Sequence, residues 1–140
     1  MIRLALRCAH LVWGLPQNLV GSIVWLVFHR SAHRTFHACC VTEWDLSRGL
    51  SLGLFVFVPK GCPRRLLVHE YGHAVQSLLL GPLYLPVIVL PSLVWAGMPM
   101  LSRWRHRHRV SYYAFYPERW ANRLGERACH EPAMGLEMVD

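Results

Sequence analysis

A stretch without a single charged side chain, residues 83–101, constrains this 140-residue chain more than any other feature. About 20 consecutive apolar residues are enough for one helix to cross the hydrocarbon core of a bilayer. Residues 11–28 form a second apolar run, in which only Gln17 and Asn18 are strongly polar. Residues 66–80 form a third apolar segment, and a globular domain of this size has room to bury one such helix but hardly three. The sequence therefore predicts a small integral membrane protein.

The first apolar run is expected to be a retained anchor, because no cleavage site of small residues follows it. Pro16 lies inside this run and is expected to kink the helix. Gln17 and Asn18 then satisfy the freed backbone groups or face other helices. A second copy of the chain is a further expectation, because it would shield these two polar side chains.

Between the two runs lies the sequence His69-Glu70-Tyr71-Gly72-His73, which has the HExxH spacing of zinc peptidases. Residues four apart share one face of a helix, so His69 and His73 can bind one metal ion together. Glu70 is then placed to take a proton from a water molecule that the metal activates. Gly72 weakens a helix, and its lack of a side chain allows another helix or a substrate to pack closely beside the metal.

The distribution of charge predicts an orientation. Residues 66–80 and 83–101 are expected to form an antiparallel helical hairpin that turns at residues 81–82. This arrangement leaves Arg3 and Arg7 on one side and the other 13 Lys and Arg residues on the other. By the positive-inside rule, the amino terminus lies outside a bacterial inner membrane and the motif faces the cytoplasm. Residues 66–80 are short for a full span, so a hairpin that dips into the bilayer is the alternative.

Residues 49–58 are rich in β-branched and aromatic side chains and are bounded by Gly and Pro. They predict a strand or hairpin bent at Gly53. Such a strand beside a metal can hold an extended substrate by backbone hydrogen bonds. Packing against the helices alone is an equally good interpretation.

The expected fold is mainly α. It has about three membrane helices (one anchor plus a helical hairpin), the short strand or hairpin, and a carboxy-terminal cytoplasmic helix. Residues 1–124 form a single membrane metallopeptidase domain, and residues 125–140 form a loose tail.

A catalytic zinc site needs a third protein ligand and an open position. Glu118 is the best candidate, because Pro117 precedes it where prolines favour the start of a helix. Asn122 lies on the same helix face and is placed to orient one of the histidines. The alternatives are Glu43, Asp45, Glu126, Glu131, Glu137 and Asp140.

The HExxH motif together with the later Glu-x-x-Ala-Asn sequence resembles the gluzincin zinc metallopeptidases. It is especially similar to the membrane-embedded branch that contains the CAAX prenyl endopeptidases and the bacterial heat-shock membrane proteases. The resemblance implies that His69, His73 and Glu118 bind zinc and that Glu70 is the general base. Asn122 stands where that branch usually has Asp.

Two further resemblances bear on the grouping. Residues 81–86 and 112–116 look like parts of a family of very small, uncharacterised bacterial membrane proteins. The form His-Glu-x-Gly-His is also used by the site-2 intramembrane proteases. Those enzymes take their third ligand from a later Asp-Gly motif, which this sequence lacks.

The expected function is zinc-dependent endopeptidase activity on membrane-associated or hydrophobic peptides, including membrane-protein segments. Two alternatives stay open: a zinc-binding membrane scaffold or adaptor without turnover, and a site-2-like protease with a different third ligand. Several side chains before Glu118 are candidates to stabilise an oxyanion: Tyr112, Tyr113, Tyr116, His106 and His108. Tyrosines are also typical anchors at a membrane interface.

The basic residues 103–109 follow directly after an apolar run, and this position indicates contact with anionic lipid in a bilayer. The sequence has no nucleic-acid-binding motif, so no nucleic acid is expected as a partner. The five cysteines lack the CxxC spacing of metal ligands and are expected to be reduced thiols.

Overall fold

A computed structural model describes residues 1–136, and within that range the chain forms six α-helices and one four-stranded mixed sheet. The helices are α1 (Ile2–Trp13), α2 (Leu15–Val27), α3 (Arg64–Leu80), α4 (Leu90–Gly97), α5 (Pro99–His108) and α6 (Tyr116–Cys129). The strands are β1 (His33–Phe36), β2 (Cys39–Trp44), β3 (Leu50–Leu52) and β4 (Phe55–Pro59). Two 3-10 helices (Gly81–Leu83 and Tyr112–Ala114) and a π-helical turn (Leu85–Val89) connect them. The fold is therefore mixed α/β.

The prediction of an integral membrane protein with about three membrane helices is wrong. Among residues 1–136, no single helix is both long enough and apolar enough to cross a bilayer. Residues 64–83 and 85–97 reach that length only as a pair, and the pair is bent by 118°. Neither the helix of the predicted anchor nor either helix of the predicted hairpin could cross a bilayer alone. The predicted inner-membrane location, with the amino terminus outside and the site facing the cytoplasm, is wrong for the same reason.

The apolar runs are interrupted where prolines allow new helices to begin. The first run is divided at Gly14 between α1 and α2, and Pro16 lies in the first turn of α2 instead of kinking a longer helix. In the second run, Met98 has extended backbone and Pro99 begins α5. Proline has no amide hydrogen and is tolerated in the first turn of a helix, where that hydrogen would have no partner. A count of apolar residues does not register these breaks.

The sheet has the strand order β1-β2-β4-β3, with β2 and β4 parallel and the other pairs antiparallel. The hairpin expected over residues 49–58 is present as β3 and β4, and its turn contains Gly53 with a positive φ of 67°. On one face of the sheet, Val56 and Val58 pack with Leu67 and Val68 of α3 in a buried core. The sheet thus supports the helix that carries the HExxH motif.

The polar residues of the first apolar run make contacts inside the protein. The side-chain amide of Gln17 donates to Ser77 Oγ at 2.8 Å and to the carbonyl of Gly81 at 3.0 Å. Asn18 Oδ1 accepts from the amide of Leu54 at 2.8 Å. Gln17 therefore faces another helix, as expected, whereas Asn18 contacts the β3–β4 turn, and through them α2 is held against the end of α3 and this turn.

Helices α3 and α6 touch backbone to backbone. A Cβ atom added to Gly72 would lie 1.8 Å from the carbonyl oxygen of Ala121, and one added to Gly125 would lie 2.1 Å from that of Val68. The close packing expected at Gly72 is therefore made by another helix. This contact sets the distance between the HExxH motif and the start of α6.

Helix α6 continues to Cys129, past residue 125, where the sequence predicts the start of a loose tail. Beyond the helix, Arg64 binds both carboxylate oxygens of Glu131 at 2.8 Å. Residues 137–140 of the predicted tail lie outside the described residues.

Candidate metal centre

Two histidines and one glutamate meet between α3 and α6. His69 and His73 lie one turn apart on α3, and Glu118 lies in the first turn of α6. The Nε2 atoms of both histidines are 3.1 Å from the same carboxylate oxygen, Glu118 Oε2. One ligand atom from each residue lies within 4.8 Å of the others, and all three side chains are buried. These residues form a group that can bind a metal ion.

Two side-chain amides set the orientation of the imidazoles. Nδ1 of His69 is 2.7 Å from Asn122 Oδ1, and Nδ1 of His73 is 2.7 Å from Gln76 Oε1. An amide oxygen only accepts hydrogen bonds, so each Nδ1 donates, and in a neutral imidazole Nε2 then presents its lone pair. Gln76 is itself fixed, because its Nε2 donates to the carbonyl of Pro117 at 2.8 Å. Asn122 is predicted from the sequence but Gln76 is not, although its position three residues after His73 places Gln76 on the same helix face.

The donor set fits a cation. The lone pairs of two neutral imidazoles would face a carboxylate oxygen, an arrangement that needs a proton or a positive ion between them. The second carboxylate oxygen, Glu118 Oε1, is buried without a hydrogen-bond partner in the described part of the chain. Imidazole nitrogens and a carboxylate oxygen are common ligands of zinc and related transition metals.

The directions in which the pKa values of His73 and Glu118 are shifted are consistent with a positive charge between them. Burial by itself would lower the pKa of His73, but the adjacent Glu118 carboxylate raises this pKa to about 9. Burial by itself would raise the pKa of Glu118, but the two histidines hold it well below its usual range. A proton and a metal ion compete for ligands of this kind.

Glu70 is buried beside the metal group and is held by the segment that includes β3. The hydroxyl of Ser51 lies 2.6 Å from Glu70 Oε2, to which it donates, and 2.9 Å from the main-chain oxygen of Glu70. A Cβ atom at Gly49 would lie 2.0 Å from Glu70 Oε1, so the glycine leaves room for the carboxylate in its present position. Sequence reasoning missed Ser51 and Gly49, because their contact with α3 is not visible in a local pattern.

A cavity of about 1070 Å³ opens onto these residues. The residues that line the cavity include His69, Glu70, His73 and Glu118. β3, an edge strand of the sheet, contributes Leu50 and Ser51 to the lining. The rest of the wall is predominantly apolar and includes Val24, Trp44, Leu46, Leu66, Ile88, Val89 and Leu93. The site can therefore receive an apolar chain next to the metal group.

Two of the predicted oxyanion-stabilising tyrosines lie at the site and one does not. Tyr112 and Tyr113 line the cavity, and the ring of Tyr113 meets that of His69 edge-on at 5.0 Å between centroids. Tyr116 instead donates its hydroxyl to the carbonyl of Val87 at 2.6 Å and is half exposed. Among the described residues, His106 and His108 of α5 are not part of the cavity wall.

Tyr84 is a tyrosine of the cavity wall that sequence reasoning missed. It is buried, and its hydroxyl donates to the carbonyl of Ser51 at 2.8 Å. Burial raises the pKa of this phenol well above its ordinary value, so the hydroxyl keeps its proton at neutral pH. Because Tyr84 lies in the apolar run 83–101, the sequence places it in a membrane span and not in the metal site.

Three alternative carboxylates are paired elsewhere. Glu43 lies 3.6 Å from Arg34, Asp45 lies 2.7 Å from Lys60, and Glu131 binds Arg64. In the described part of the chain, the group that can bind a metal includes none of the alternatives. Glu137 and Asp140 lie outside the described residues.

Comparisons with protein-family models, with curated proteins and with solved structures find no match to this chain. The resemblance to gluzincins therefore depends on the motif residues alone.

Proposed function

We propose that this protein is a zinc-dependent endopeptidase that hydrolyses extended, hydrophobic peptides. The observation that carries the proposal is the convergence of His69, His73 and Glu118 on one buried point, with Glu70 beside them in a large apolar cavity. Three protein ligands are the number that catalytic zinc sites use, because a fourth position then stays open for water or substrate. Among the described residues, the group that can bind a metal does not include Glu70, and the position of Glu70 in the cavity wall favours catalysis over storage.

The donor set supports zinc as the metal. Two imidazoles and one carboxylate are the ligands of gluzincin-type sites, and Nε2 of each histidine is the atom presented. His69, His73 and Glu118 would hold the zinc ion, which would supply a Lewis acid to polarise a carbonyl oxygen and to lower the pKa of water towards about 7. Asn122 and Gln76 keep the two imidazoles in the tautomer that this requires.

The protein supplies the proton transfer through Glu70. In the proposed reaction, the Glu70 carboxylate accepts a proton from the attacking water and delivers it to the leaving amine. The hydrogen bond from Ser51 holds carboxylate oxygen Oε2 and so fixes the orientation of the Glu70 side chain. Tyr112 and Tyr113 are the candidates for donating a hydrogen bond to the developing oxyanion.

The shape of the cavity supports an extended peptide as the substrate. β3 is an edge strand beside Glu70, and such strands bind peptides by adding one more strand to the sheet. Backbone pairing of this kind does not depend on the peptide sequence. The apolar side chains of α2 and α4 that line the cavity then favour hydrophobic residues next to the cleaved bond.

The test is cleavage of a mixture of unmodified peptides, followed by mass spectrometry. Wild-type protein loaded with zinc should cut peptides next to hydrophobic residues, and a chelator should stop the reaction. The Glu70→Gln variant should keep its zinc but lose about 10²–10⁴-fold in rate, which is the usual contribution of general acid–base catalysis. Glu43→Gln, a carboxylate of β2 outside the site, is the matched control and should cut normally.

Cleavage by Glu70→Gln at the wild-type rate would refute the proposed role of Glu70. A wild-type protein that binds zinc without cutting any peptide would support a zinc-binding scaffold instead.

A further inference from the structure

The segment after α6 folds back onto the metal centre. Met134 lines the cavity that holds the metal group, and Ala133 is only 3% exposed. The amide of Ala133 donates to Glu126 Oε1 at 3.2 Å, and Glu131 binds Arg64 of α3. Residues 131–134, the docking segment, are thus attached to both helices that form the site.

Asn122 connects the docking segment to a metal ligand. Its Oδ1 lies 2.7 Å from Nδ1 of His69, and its Nδ2 donates to the carbonyl of Met134 at 2.8 Å. The two ends of an amide are chemically different. If the amide were reversed, its NH₂ would face the N–H of His69 and its oxygen would face the carbonyl of Met134. Both contacts would then be repulsive, so the Met134 carbonyl helps to fix the orientation in which Asn122 accepts from His69.

We propose that the docking segment is a positioning element of the metal site and acts through Asn122 on His69. When the segment is docked, the amide oxygen faces His69 and keeps the Nε2 lone pair directed at the metal. When the segment is released, the amide can rotate and the imidazole loses its partner. Metal binding and docking of the segment therefore stabilise each other. This inference requires the metal-binding part of the proposed function but not peptide cleavage.

The proposal depends on residue 122 being an amide. A carboxylate has two equivalent oxygens and orients an imidazole without help from a second group. It would also place negative charge against the Met134 carbonyl and so disfavour docking. Asn122→Asp should therefore make metal affinity independent of the docking segment.

The first test measures zinc affinity by competition with a chromophoric chelator. Ala133→Glu places a charge at a buried position and should release the segment. The expected loss in zinc affinity is about 10-fold, at the lower end of the range for losing a group that orients a metal ligand. Ala128→Glu is the matched control, because Ala128 is exposed near the end of α6 and its substitution should leave the affinity unchanged. In an Asn122→Asp background, Ala133→Glu should have no effect.

The second test uses the reciprocity of coupled binding. A serine carboxypeptidase digests the full-length chain, and mass spectrometry follows the loss of residues from the carboxy terminus. Zinc should slow digestion through residues 131–134 in the wild type, and Glu131→Gln should speed it up in the absence of zinc. Glu131→Gln also serves as a milder variant if Ala133→Glu does not fold.

The outcomes separate this inference from the proposed function. If the wild type binds no zinc, both are wrong. If the wild type binds zinc and Ala133→Glu behaves like Ala128→Glu, only the coupling is refuted. Equal losses for Ala133→Glu in the wild-type and Asn122→Asp backgrounds would also refute it, because the effect would then not pass through the amide.

Discussion

The contact at Gly72 gives the most specific prediction, because one methyl group should disturb both stability and metal binding. In Gly72→Ala, the new Cβ atom would lie 1.8 Å from the carbonyl oxygen of Ala121 and 2.6 Å from its carbonyl carbon. Both are backbone atoms of α6, so no side chain can rotate away. The distance to the oxygen must grow to at least 3.0 Å, which requires the two helices to move apart by about 1.2 Å.

The energetic consequence follows from two opposing effects. Alanine improves helix propensity over glycine by about 1 kcal/mol, whereas forcing a group into a packed contact costs about 1–3 kcal/mol. Because the clash is between backbones, the cost should lie at the upper end or above. We expect the free energy of unfolding to fall by about 2 kcal/mol or more, measured by denaturant titration.

The effect on the metal site should be larger. Metal–ligand distances tolerate deviations of only about 0.2 Å, and a shift of α6 by about 1.2 Å would carry Glu118 away from His69 and His73. We expect zinc affinity to fall at least about 100-fold. Gly97→Ala is the control, because a Cβ atom there meets nothing within 4 Å. If Gly72→Ala resembled Gly97→Ala in both stability and zinc affinity, the packing argument would be refuted.

Three further perturbations have defined outcomes. Gly49→Ala should displace the carboxylate of Glu70, because the new Cβ atom would lie 2.0 Å from Glu70 Oε1. Turnover should then drop about 10-fold or more while the zinc content stays the same. A lower zinc content would contradict this prediction. Burial raises the pKa of the Cys39 thiol to about 12. Iodoacetamide at pH 8 should therefore modify the exposed Cys8 and leave Cys39 unmodified in the folded protein, as measured by peptide mapping. Rapid labelling of Cys39 would contradict its burial. Gln17→Leu removes two buried hydrogen bonds and should lower the free energy of unfolding by about 1–3 kcal/mol; an unchanged denaturation midpoint would show that these bonds contribute nothing.

The grouping of the metal residues could be predicted from sequence because each signal is local. His69 and His73 are four residues apart, which defines a helix face. Glu118 and Asn122 have the same spacing on a second helix, and Pro117 marks where that helix begins. Their meeting in space was predicted from the chemistry of a metal site, which needs a third ligand.

The membrane architecture was predicted wrongly because hydropathy is a sum over residues and ignores where a helix ends. Gly14 and Met98 divide the apolar runs, and neither residue stands out in a window average. The contacts of Gln17 and Asn18 are a second reason. Their partners, Ser77, Gly81 and Leu54, are distant in sequence, so a polar pair inside an apolar run could not be assigned to a folded interior.

The residues that sequence reasoning missed act over long sequence separations. Ser51 reaches Glu70 through the packing of β3 on α3, and Tyr84 reaches Ser51 from the segment after α3. Met134 contacts Asn122 because the chain reverses direction after α6. None of these contacts produces a periodic pattern or a motif in the sequence, so they are visible only in the tertiary structure.

The central claim is that His69, His73 and Glu118 hold one zinc ion. The most direct test is elemental analysis of purified protein after zinc loading, for the wild type, Glu118→Ala and the control Glu43→Ala. The account predicts one zinc per chain in the wild type and the control, and none in Glu118→Ala. Zinc retained in full by Glu118→Ala, or no zinc in the wild type, would contradict it.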